Sequence, residues 1–336
     1  MQPKGQLPPA VQLMQFIVGK WISKPIYIAA ELGIADVLSD GPKSIEELAQ
    51  ISQSHAPSLY RIMRALASVG IFFETQDKRF ELTPMAEYLK TGAMRAMAIL
   101  FNADWSDKSW GYLMDSVRTG ATAFEKAYGM PVSDWLETNP QAAAVFDGAN
   151  AVKSATSHRA IIDVYDFSGI NTLTDVGGGL GTLMTEILIA NPLIKGIVVD
   201  TPRVIKETKK VIQTRGLEDR CLALECDFFK EIPAGSDAYL LSHILHDWPD
   251  EQCRIILANC RRAMKTESRL LIVEMVIQPG NEPCIAKLLD LEMLVTTGGR
   301  ERTEKEFRAL LESSGFKLSR TIATKESICI LEGLQA

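Results

Sequence analysis

The chain has 336 residues, which is enough for two domains that each bury a core of their own. Acidic residues outnumber basic ones by 42 to 36, and this balance argues against nucleic acid as the main partner, because phosphate binding usually needs a basic face. The sequence contains neither an apolar run of about 18 residues nor a basic-then-apolar leader, so we predict a cytoplasmic protein with no membrane partner.

The cysteines and histidines favour a protein without a bound metal. None of the six cysteines forms a C-x-x-C pair and several fall in apolar runs, so reduced core thiols are predicted. His243 and His246 are close in sequence, but no cysteine or carboxylate follows them at a typical ligand spacing. The cysteines are Cys221, Cys226, Cys253, Cys260, Cys284 and Cys329.

Residues 9–40 are predicted to be helical, because apolar residues recur at helical intervals from Val11 to Ile34. Their apolar content exceeds what one face of a lone domain requires, so the stretch is either core or an oligomer interface. We favour an interface, since an amino-terminal helix pair has little domain of its own to cover it. Homodimers are also the commonest symmetric assembly.

Residues 41–90 have the pattern of a small winged helix. Ser44 and Glu47 predict a capping box at the start of its first helix. A second helix is predicted over residues 54–69, and a hairpin over residues 71–82.

Many winged helices bind DNA, so a transcription regulator is one alternative. The helix that would enter the groove carries only Arg61 and Arg64, however, and the adjoining loop is not basic. A packing role is therefore favoured, and salt-sensitive DNA binding would identify the regulator.

The stretch 91–165 is predicted to be mostly helical and is rich in large aromatic side chains and methionines. Such side chains could fill a core or wall a pocket for a flat apolar substrate, and the sequence leaves both readings open. We divide the chain into an amino-terminal winged-helix dimerisation domain (1–100), a helical linker that contributes to a substrate pocket (101–165) and a catalytic domain (166–336).

From residue 170 onward, strand-like and helix-like segments alternate. The strand-like runs are apolar without alternation, which suits strands covered on both faces, so we predict an α/β fold with a doubly wound, mainly parallel, Rossmann-like sheet. A short turn at 324–326 joins the last two strands and indicates an antiparallel edge. The predicted strands are 172–176, 196–200, 222–226, 238–244, 270–276, 317–323 and 327–331.

A glycine-rich turn, Asp175-Val176-Gly177-Gly178-Gly179-Leu180-Gly181, joins the first of these strands to a predicted helix. Such a unit brings the backbone close to a ligand of nucleotide type. The turn fails the dinucleotide pattern G-x-G-x-x-G in both registers and lacks the lysine of a P-loop. It fits acidic-x-G-x-G-x-G, starting at Asp175, which is typical of S-adenosylmethionine (SAM) methyltransferases.

Acidic residues follow the next two strands, where they suit SAM. Asp200 can accept hydrogen bonds from both ribose hydroxyls, and Asp227 with Phe228 can meet the adenine amino group and stack on its ring. Each acid could instead cap a helix or a turn. Acids at successive strand ends after this glycine turn favour the cofactor.

A histidine and two glutamates are predicted to converge at the same edge of the sheet. His246 lies at the carboxyl end of the fourth strand, Glu274 ends the next strand, and Glu301 follows the turn at Gly298-Gly299. Two carboxylates can fix the tautomer of an imidazole and stabilise the imidazolium, which is what a general base needs. A structural histidine is the alternative.

With these residues the chain resembles the SAM-dependent O-methyltransferases of the caffeate and hydroxyindole type, in a bacterial small-molecule form. The matches are the glycine turn, His246-Asp247-Trp248, Glu274, and Gly298-Gly299-Arg300-Glu301-Arg302-Thr303 before a helix. The resemblance covers nearly the whole chain, because that family also has an amino-terminal winged-helix dimerisation domain. It implies a homodimer, SAM as the cofactor and methyl transfer to a hydroxyl of a small aromatic acceptor.

The resemblance also implies roles for individual residues. His246 would take the proton of the acceptor hydroxyl, with Glu274 and Glu301 flanking and orienting its imidazole. The residues that would hold SAM are Asp175, Gly177, Gly179, Asp200, Asp227, Phe228 and Ser242, and those that would hold the acceptor are Phe146, Asn150, Asp247, Met293 and Thr297.

Two positions depart from the plant members of this family. Ser242 occupies a position where many of them have lysine or arginine near the cofactor. The pair Thr296-Thr297 replaces, with one residue fewer, the His-Asn-Pro that they often have beside the substrate. These differences argue against a phenylpropanoid acceptor. The same motifs occur in relatives that methylate carbon or use SAM as a bound charge in hydroxylation or decarboxylation, so these reactions remain alternatives.

Overall fold

The computed structural model describes residues 7–336, except for the side chains of residues 151 and 153–156. The chain divides into two units. One comprises the described residues up to Lys108 together with Leu136–Val152, and the other comprises Ser109–Trp135 and Lys153–Ala336. No helix among the described residues combines the length and the apolar character needed to cross a lipid bilayer.

The first unit contains short helices and a small antiparallel sheet with the strand order β1-β3-β2. Its core is formed mainly by apolar residues of the second to fifth helices and of the hairpin. The elements are α1 (Pro9–Ile17), α2 (Lys20–Glu31), α3 (Ile34–Val37), β1 (Lys43–Ser44), α4 (Ile45–Ile51), α5 (Ala56–Ser68), β2 (Phe72–Glu74), β3 (Arg79–Leu82) and α6 (Arg95–Leu100).

The winged-helix elements predicted for residues 41–90 are present. The Ser44 hydroxyl accepts a hydrogen bond from the Glu47 amide at 3.2 Å, and the Glu47 carboxylate accepts one from the Ser44 amide at 2.6 Å, which completes the capping box of α4. The hairpin pairs β2 with β3, with Phe72 opposite Leu82. The second predicted helix, α5, is two residues shorter at its start than the sequence indicated.

The first two helices expose large apolar side chains. Phe16 is 81% exposed, Trp21 is 74% exposed and Ile17 is 65% exposed. No residue of α1 is buried. Because removing apolar surface from water is favourable, an apolar face of this kind marks an interaction site. The position of this face agrees with the interface predicted from the sequence.

We expect the double change Phe16→Glu and Trp21→Glu to weaken self-association by at least about tenfold, because two charges would be desolvated on the apolar face. Sedimentation velocity over a concentration series measures this. Leu193→Glu is the control, since Leu193 is 91% exposed and belongs to the other unit. An unchanged dissociation constant for the double variant would assign the interface to another surface.

The second unit is an α/β domain, and three of its helices, α7, α10 and α11, also contain residues of the first unit. Its elements are α7 (Asp104–Trp110), α8 (Leu113–Thr119), α9 (Ala123–Tyr128), α10 (Val132–Thr138), α11 (Pro140–Val164), β4 (Thr172–Val176), α12 (Thr182–Ala190), β5 (Lys195–Asp200), α13 (Pro202–Thr214), β6 (Cys221–Glu225), β7 (Ala238–Ser242), α14 (Asp250–Ala263), β8 (Arg269–Met275), α15 (Ile285–Thr296), α16 (Glu304–Ser313), β9 (Phe316–Ala323) and β10 (Ile328–Gln335).

The seven strands of this unit form one sheet in the order β6-β5-β4-β7-β8-β10-β9. The five strands from β6 to β8 are parallel to one another. The last strand, β10, lies antiparallel between β8 and β9. The predicted doubly wound, mainly parallel sheet with an antiparallel edge is therefore confirmed.

Apolar residues bury both faces of this sheet. Tyr239 and Leu241 belong to a core formed with α14 and α16, whereas Ala238 and Leu240 belong to a second core on the opposite face, formed with α12. Successive side chains of a strand point to opposite faces, so a strand covered on both sides is apolar throughout. This explains why the central strands show no alternation in the sequence.

Some predicted ends and side-chain environments differ in detail. The strand predicted to reach Ile244 ends at Ser242, because His243 adopts a left-handed conformation with φ of 56° and starts a turn. The last strand continues to Gln335, which pairs with Phe316. The six cysteines are free thiols, of which three are buried and three are partly buried.

Candidate active site

The glycine turn between β4 and α12 keeps the backbone open to a ligand. Gly177 has φ of 70°, and a β-carbon there would lie 2.5 Å from Cδ1 of Ile244 and 3.4 Å from the ring of Phe228. Gly179 has φ of 56°, with no heavy atom within 4 Å of the place of a β-carbon. Positive φ values favour glycine, and the absence of side chains lets a ligand approach the backbone closely.

Asp200, at the end of β5, holds this turn in place. Its Oδ2 accepts a hydrogen bond from the Gly179 amide at 2.9 Å, and its Oδ1 accepts one from the Thr201 amide at 2.7 Å. Burial raises the pKa of the carboxyl, whereas these two backbone donors lower it. Each oxygen has a second lone pair, so the carboxylate can still accept hydrogen bonds from ligand hydroxyls.

Asp175 lies buried beneath the same turn, with 1% of its surface exposed. Neither carboxylate oxygen has a hydrogen-bond partner among the described residues. Burial, followed by repulsion from Asp200, raises the pKa of Asp175 to about 7. A buried carboxylate without a donor is costly, and a cationic group at the turn would offset that cost. The turn and its two aspartates therefore fit SAM, which carries an ammonium, a sulfonium and a ribose.

The residues predicted to meet the adenine follow β6. Asp227 accepts a hydrogen bond from the Phe229 amide at 3.1 Å and pairs with Lys230 at 2.9 Å, so it also caps a turn. The backbone carbonyl of Phe228 accepts a hydrogen bond from Asn259 at 2.7 Å, and its ring lies beside the glycine turn. Ser242 ends β7 at the same edge of the sheet.

His246 lies in the turn after β7, with its side chain 5% exposed. Its Nδ1 lies 2.8 Å from Oε1 of Glu301 and 3.2 Å from Oε2 of Glu274. Because ionised carboxylates only accept hydrogen bonds, Nδ1 carries a proton, and in the neutral imidazole the lone pair is then on Nε2. Nε2 lies 3.7 Å from Oδ1 of Asp247. The structure thus brings the predicted imidazole and both glutamates together.

The two glutamates are themselves fixed. Glu274 is fully buried on β8, and its Oε1 accepts hydrogen bonds from the amides of Leu245 at 2.9 Å and His246 at 3.2 Å. The Glu301 amide donates to Oδ1 of Asp290 on α15 at 2.8 Å. Burial raises the pKa of Asp290. The backbone and the imidazole of His246 are therefore held by one connected network of hydrogen bonds.

Arg302 stabilises the segment that carries His246. This side chain is fully buried, and it donates to the carbonyls of Leu245 at 2.8 Å and Trp248 at 2.9 Å. It also donates to Oδ1 of Asp250 at 2.8 Å. The three acceptors lie on both sides of His246 in the chain, so one guanidinium fixes the whole turn.

Gly299 allows the residues after α15 to pack on the same turn. A β-carbon at this position would lie 2.0 Å from the carbonyl oxygen of His246 and 2.4 Å from the carbonyl carbon of Asp247. These are backbone atoms, which have little room to shift. Any side chain at position 299 would therefore displace the turn that carries His246.

The predicted acceptor residues lie in both units. Asp247 is partly exposed beside Nε2 of His246, and Met293 is 7% exposed on α15. Thr297 ends that helix, where its hydroxyl accepts a hydrogen bond from the Gly299 amide at 3.2 Å. Phe146 and Asn150 lie on α11 within the first unit, and their assignment to the acceptor stays a prediction.

One cluster among the described residues has the composition of a metal site. Single ligand atoms of His243, His246 and Glu274 lie within 4.8 Å of one another. Nδ1 of His246 already faces two carboxylates in this arrangement. The prediction that the protein binds no metal is not tested by this geometry.

Sequence reasoning missed Arg302, Asp290 and a pair formed by Trp110 and Glu292. Arg302 lies inside the motif that matches the family, but nothing in the sequence indicates that its side chain is buried. Its partner Asp250 stands in the first turn of α14, where no side-chain cap is present. The indole nitrogen of Trp110 donates to Oε2 of Glu292 at 2.8 Å. No local sequence signal indicates that contact.

The sequence matches two families of known proteins. Residues 110–317 match the O-methyltransferase domain, and residues 14–92 match the O-methyltransferase dimerisation domain. The chain is 42% identical over 331 residues to the phenazine O-methyltransferase of Lysobacter antibioticus, and the alignment covers 98% of this chain and 97% of that protein.

Solved structures are similar along the whole chain. A mitomycin 7-O-methyltransferase is 36% identical, with a TM-score of 0.92 and coverage of 97% of this chain and 98% of that one. Human N-acetylserotonin methyltransferase, solved in complex with SAM, is 25% identical, with a TM-score of 0.90 and complete coverage of both chains.

We expect Arg302→Met to lower the free energy of unfolding by about 3 kcal/mol, because it leaves Asp250 and two carbonyls without their buried donor. Methyl-transfer turnover should fall as well, since the His246 turn loses its support. Urea denaturation and a turnover assay measure the two effects. Arg300→Met is the matched control, because Arg300 pairs with the same Asp250 but is 45% exposed. Equal effects of the two changes would contradict the role given to Arg302.

The raised pKa of Asp175 predicts a pH-dependent stability of the protein without cofactor. The folded value is about 7 against an ordinary value of 3.8, so the folded state binds more protons than the unfolded chain between these values. The contribution to stability is therefore fully present below about pH 4 and is lost as the pH rises through about 7.

We expect Asp175→Asn to remove this dependence of the free energy of unfolding on pH. Its free energy of unfolding relative to the wild type should rise by up to about 4 kcal/mol between about pH 4 and pH 8. Urea titrations at several pH values without SAM measure the difference. The control is Asp219→Asn, which changes an exposed aspartate. A difference that does not change with pH would show that Asp175 is solvated in solution.

Proposed function

The chain belongs to the family of SAM-dependent O-methyltransferases that carry an amino-terminal dimerisation domain, and from this premise we propose that His246 is the general base for methyl transfer to an aromatic hydroxyl. The protein is a methyl-transferring enzyme that uses SAM, and it forms a homodimer through its dimerisation domain. The observation that carries the proposal is the buried contact of Nδ1 of His246 with Glu301.

The groups around the glycine turn suit SAM. Asp200 would accept the ribose hydroxyls, Asp175 would face the ammonium, and Phe228 would contact the adenine beside the open backbone of Gly177 and Gly179. SAM supplies a methyl group on a sulfonium, which is already a strong electrophile. The protein therefore contributes mainly placement and proton removal.

His246 would remove the acceptor proton through Nε2. Glu301 accepts the hydrogen bond of Nδ1–H and so fixes the tautomer whose lone pair lies on Nε2. Glu274 adds a second carboxylate 3.2 Å from Nδ1, and both negative charges stabilise the imidazolium that forms. Asp247, 3.7 Å from Nε2, is near enough to help position the acceptor hydroxyl.

We propose a small nitrogen-containing aromatic compound as the acceptor. The relatives described above are named for a phenazine, a mitomycin and N-acetylserotonin, and each of these compounds contains nitrogen in a ring system. Met293 and Thr297 on α15 would contact the acceptor, as would Phe146 and Asn150. The cytoplasmic location and the domain boundaries at 100 and 165 stay predictions.

We expect His246→Ala to lower turnover on a phenolic acceptor by about 10²–10⁴-fold, the usual contribution of a general base. Glu301→Gln should also lower turnover, because an amide that offers its NH₂ group to Nδ1 favours the wrong tautomer. Both variants should bind SAM as the wild type does. Radiolabelled methyl transfer and calorimetry measure turnover and cofactor affinity.

The matched control for the second variant is Glu312→Gln, which changes an exposed glutamate of α16. Turnover like the wild type in His246→Ala would refute the proposed base. Loss of SAM binding in that variant would show that His246 acts through the cofactor site instead.

A further inference from the structure

A second glutamate of α15 lies apart from the His246 network. Glu292 is partly buried, and its Oε2 accepts a hydrogen bond from the indole nitrogen of Trp110 at 2.8 Å. This is the single hydrogen bond that the structure records for its side chain among the described residues. An ionised carboxylate can accept about four. Glu292 therefore keeps most of its hydrogen-bonding capacity for another group.

The charge of Glu292 is not balanced by the protein around it. Burial raises the pKa of its carboxyl, and the hydrogen bond from Trp110 is the opposing effect. No lysine, arginine or histidine of the described residues lies within 4 Å of its oxygens. Partial burial of an acid with one neutral donor is unfavourable. A ligand that brings an N–H donor or a positive charge would remove this penalty.

The position of Glu292 connects it to the acceptor side of the site. It directly precedes Met293, and its carbonyl accepts a hydrogen bond from Thr296 one turn later, about 6 Å along the helix axis. The helix ends at Thr296, Gly298 follows its cap, and Gly299 packs on the backbone of His246. The carboxylate thus lies on α15, and the residues that follow this helix pack against the turn that carries the base.

We propose that Glu292 is a specificity-determining residue that binds an N–H group of the aromatic acceptor while the acceptor hydroxyl faces His246. Trp110 positions the carboxylate and offers its ring as an apolar wall. This inference rests on the proposed function and adds the nature of the second anchoring group. It explains why an acid occupies a helix face where an apolar side chain would pack at lower cost.

The test uses binding as well as turnover. A panel of amino-naphthols is compared with methyl-naphthols of the same substitution pattern, because amino and methyl groups have similar sizes. For each pair, dissociation constants are measured by calorimetry in the presence of S-adenosylhomocysteine, and kcat/KM is measured with SAM. We expect the wild type to bind at least one amino compound more tightly than its methyl partner.

Glu292→Gln should reduce that preference by about tenfold or more, which is the value of one hydrogen bond to a charged group. The glutamine can still accept the hydrogen bond from Trp110, so the fold is preserved. Trp110→Phe keeps an aromatic ring and the carboxylate but removes the indole N–H that positions it, so it should reduce the preference less than Glu292→Gln does. Glu312→Gln is the surface control.

The outcomes separate the two claims. A preference that Glu292→Gln leaves within about twofold overturns the inference, even if the enzyme methylates phenols. If Glu292→Gln weakens the dimer and leaves the preference intact, the carboxylate is neutralised by the second copy of the chain, and the inference is wrong. Binding preference that falls as expected without any methylation supports the role of Glu292 and refutes the proposed reaction.

Discussion

The active site depends on keeping one imidazole between two carboxylates in the interior of the protein. Glu274 is fully buried, and Glu301 is 3% exposed. Two negative charges at this depth would be unstable without donors. The donors are the amides of Leu245 and His246 and the Nδ1–H of the imidazole. His246 is thus needed as a hydrogen-bond donor to the buried acids, and β8 and the segment after α15 must meet at its imidazole.

The turn around His246 keeps the imidazole between the two carboxylates and has little conformational freedom. Arg302 binds carbonyls on both sides of it, and Gly299 leaves just enough space for the following chain. The turn begins at His243, which adopts a left-handed conformation that costs free energy in a residue with a side chain. The contacts of Arg302 and the packing at Gly299 offset that cost. The result is an imidazole whose orientation is set before any ligand arrives.

The motifs that act locally could be predicted from the sequence, and so could the fold class, SAM and the family. The glycine turn, Asp200, His246 and Glu274 lie at or just after strand ends, and parallel strands bring such ends together. Glu301 lies between α15 and α16, in the motif that matches the family. Contacts between distant segments could not be predicted. Arg302 meets Asp250 across 52 residues, and Trp110 meets Glu292 across 182. Periodicity indicates which face of an element is buried, but not which residue covers it.

The position of the last strand has a consequence for synthesis. Glu274 of β8 is paired with Cys329 of β10, which follows every other strand of this sheet in the chain. Until β10 has left the ribosome, β8 lacks one neighbour and Glu274 has no complete interior to occupy. The glycine turn can form much earlier, because β4 and β5 are the first strands of the sheet to be made. A nascent chain therefore acquires the scaffold of its cofactor site before the surroundings of Glu274 are complete.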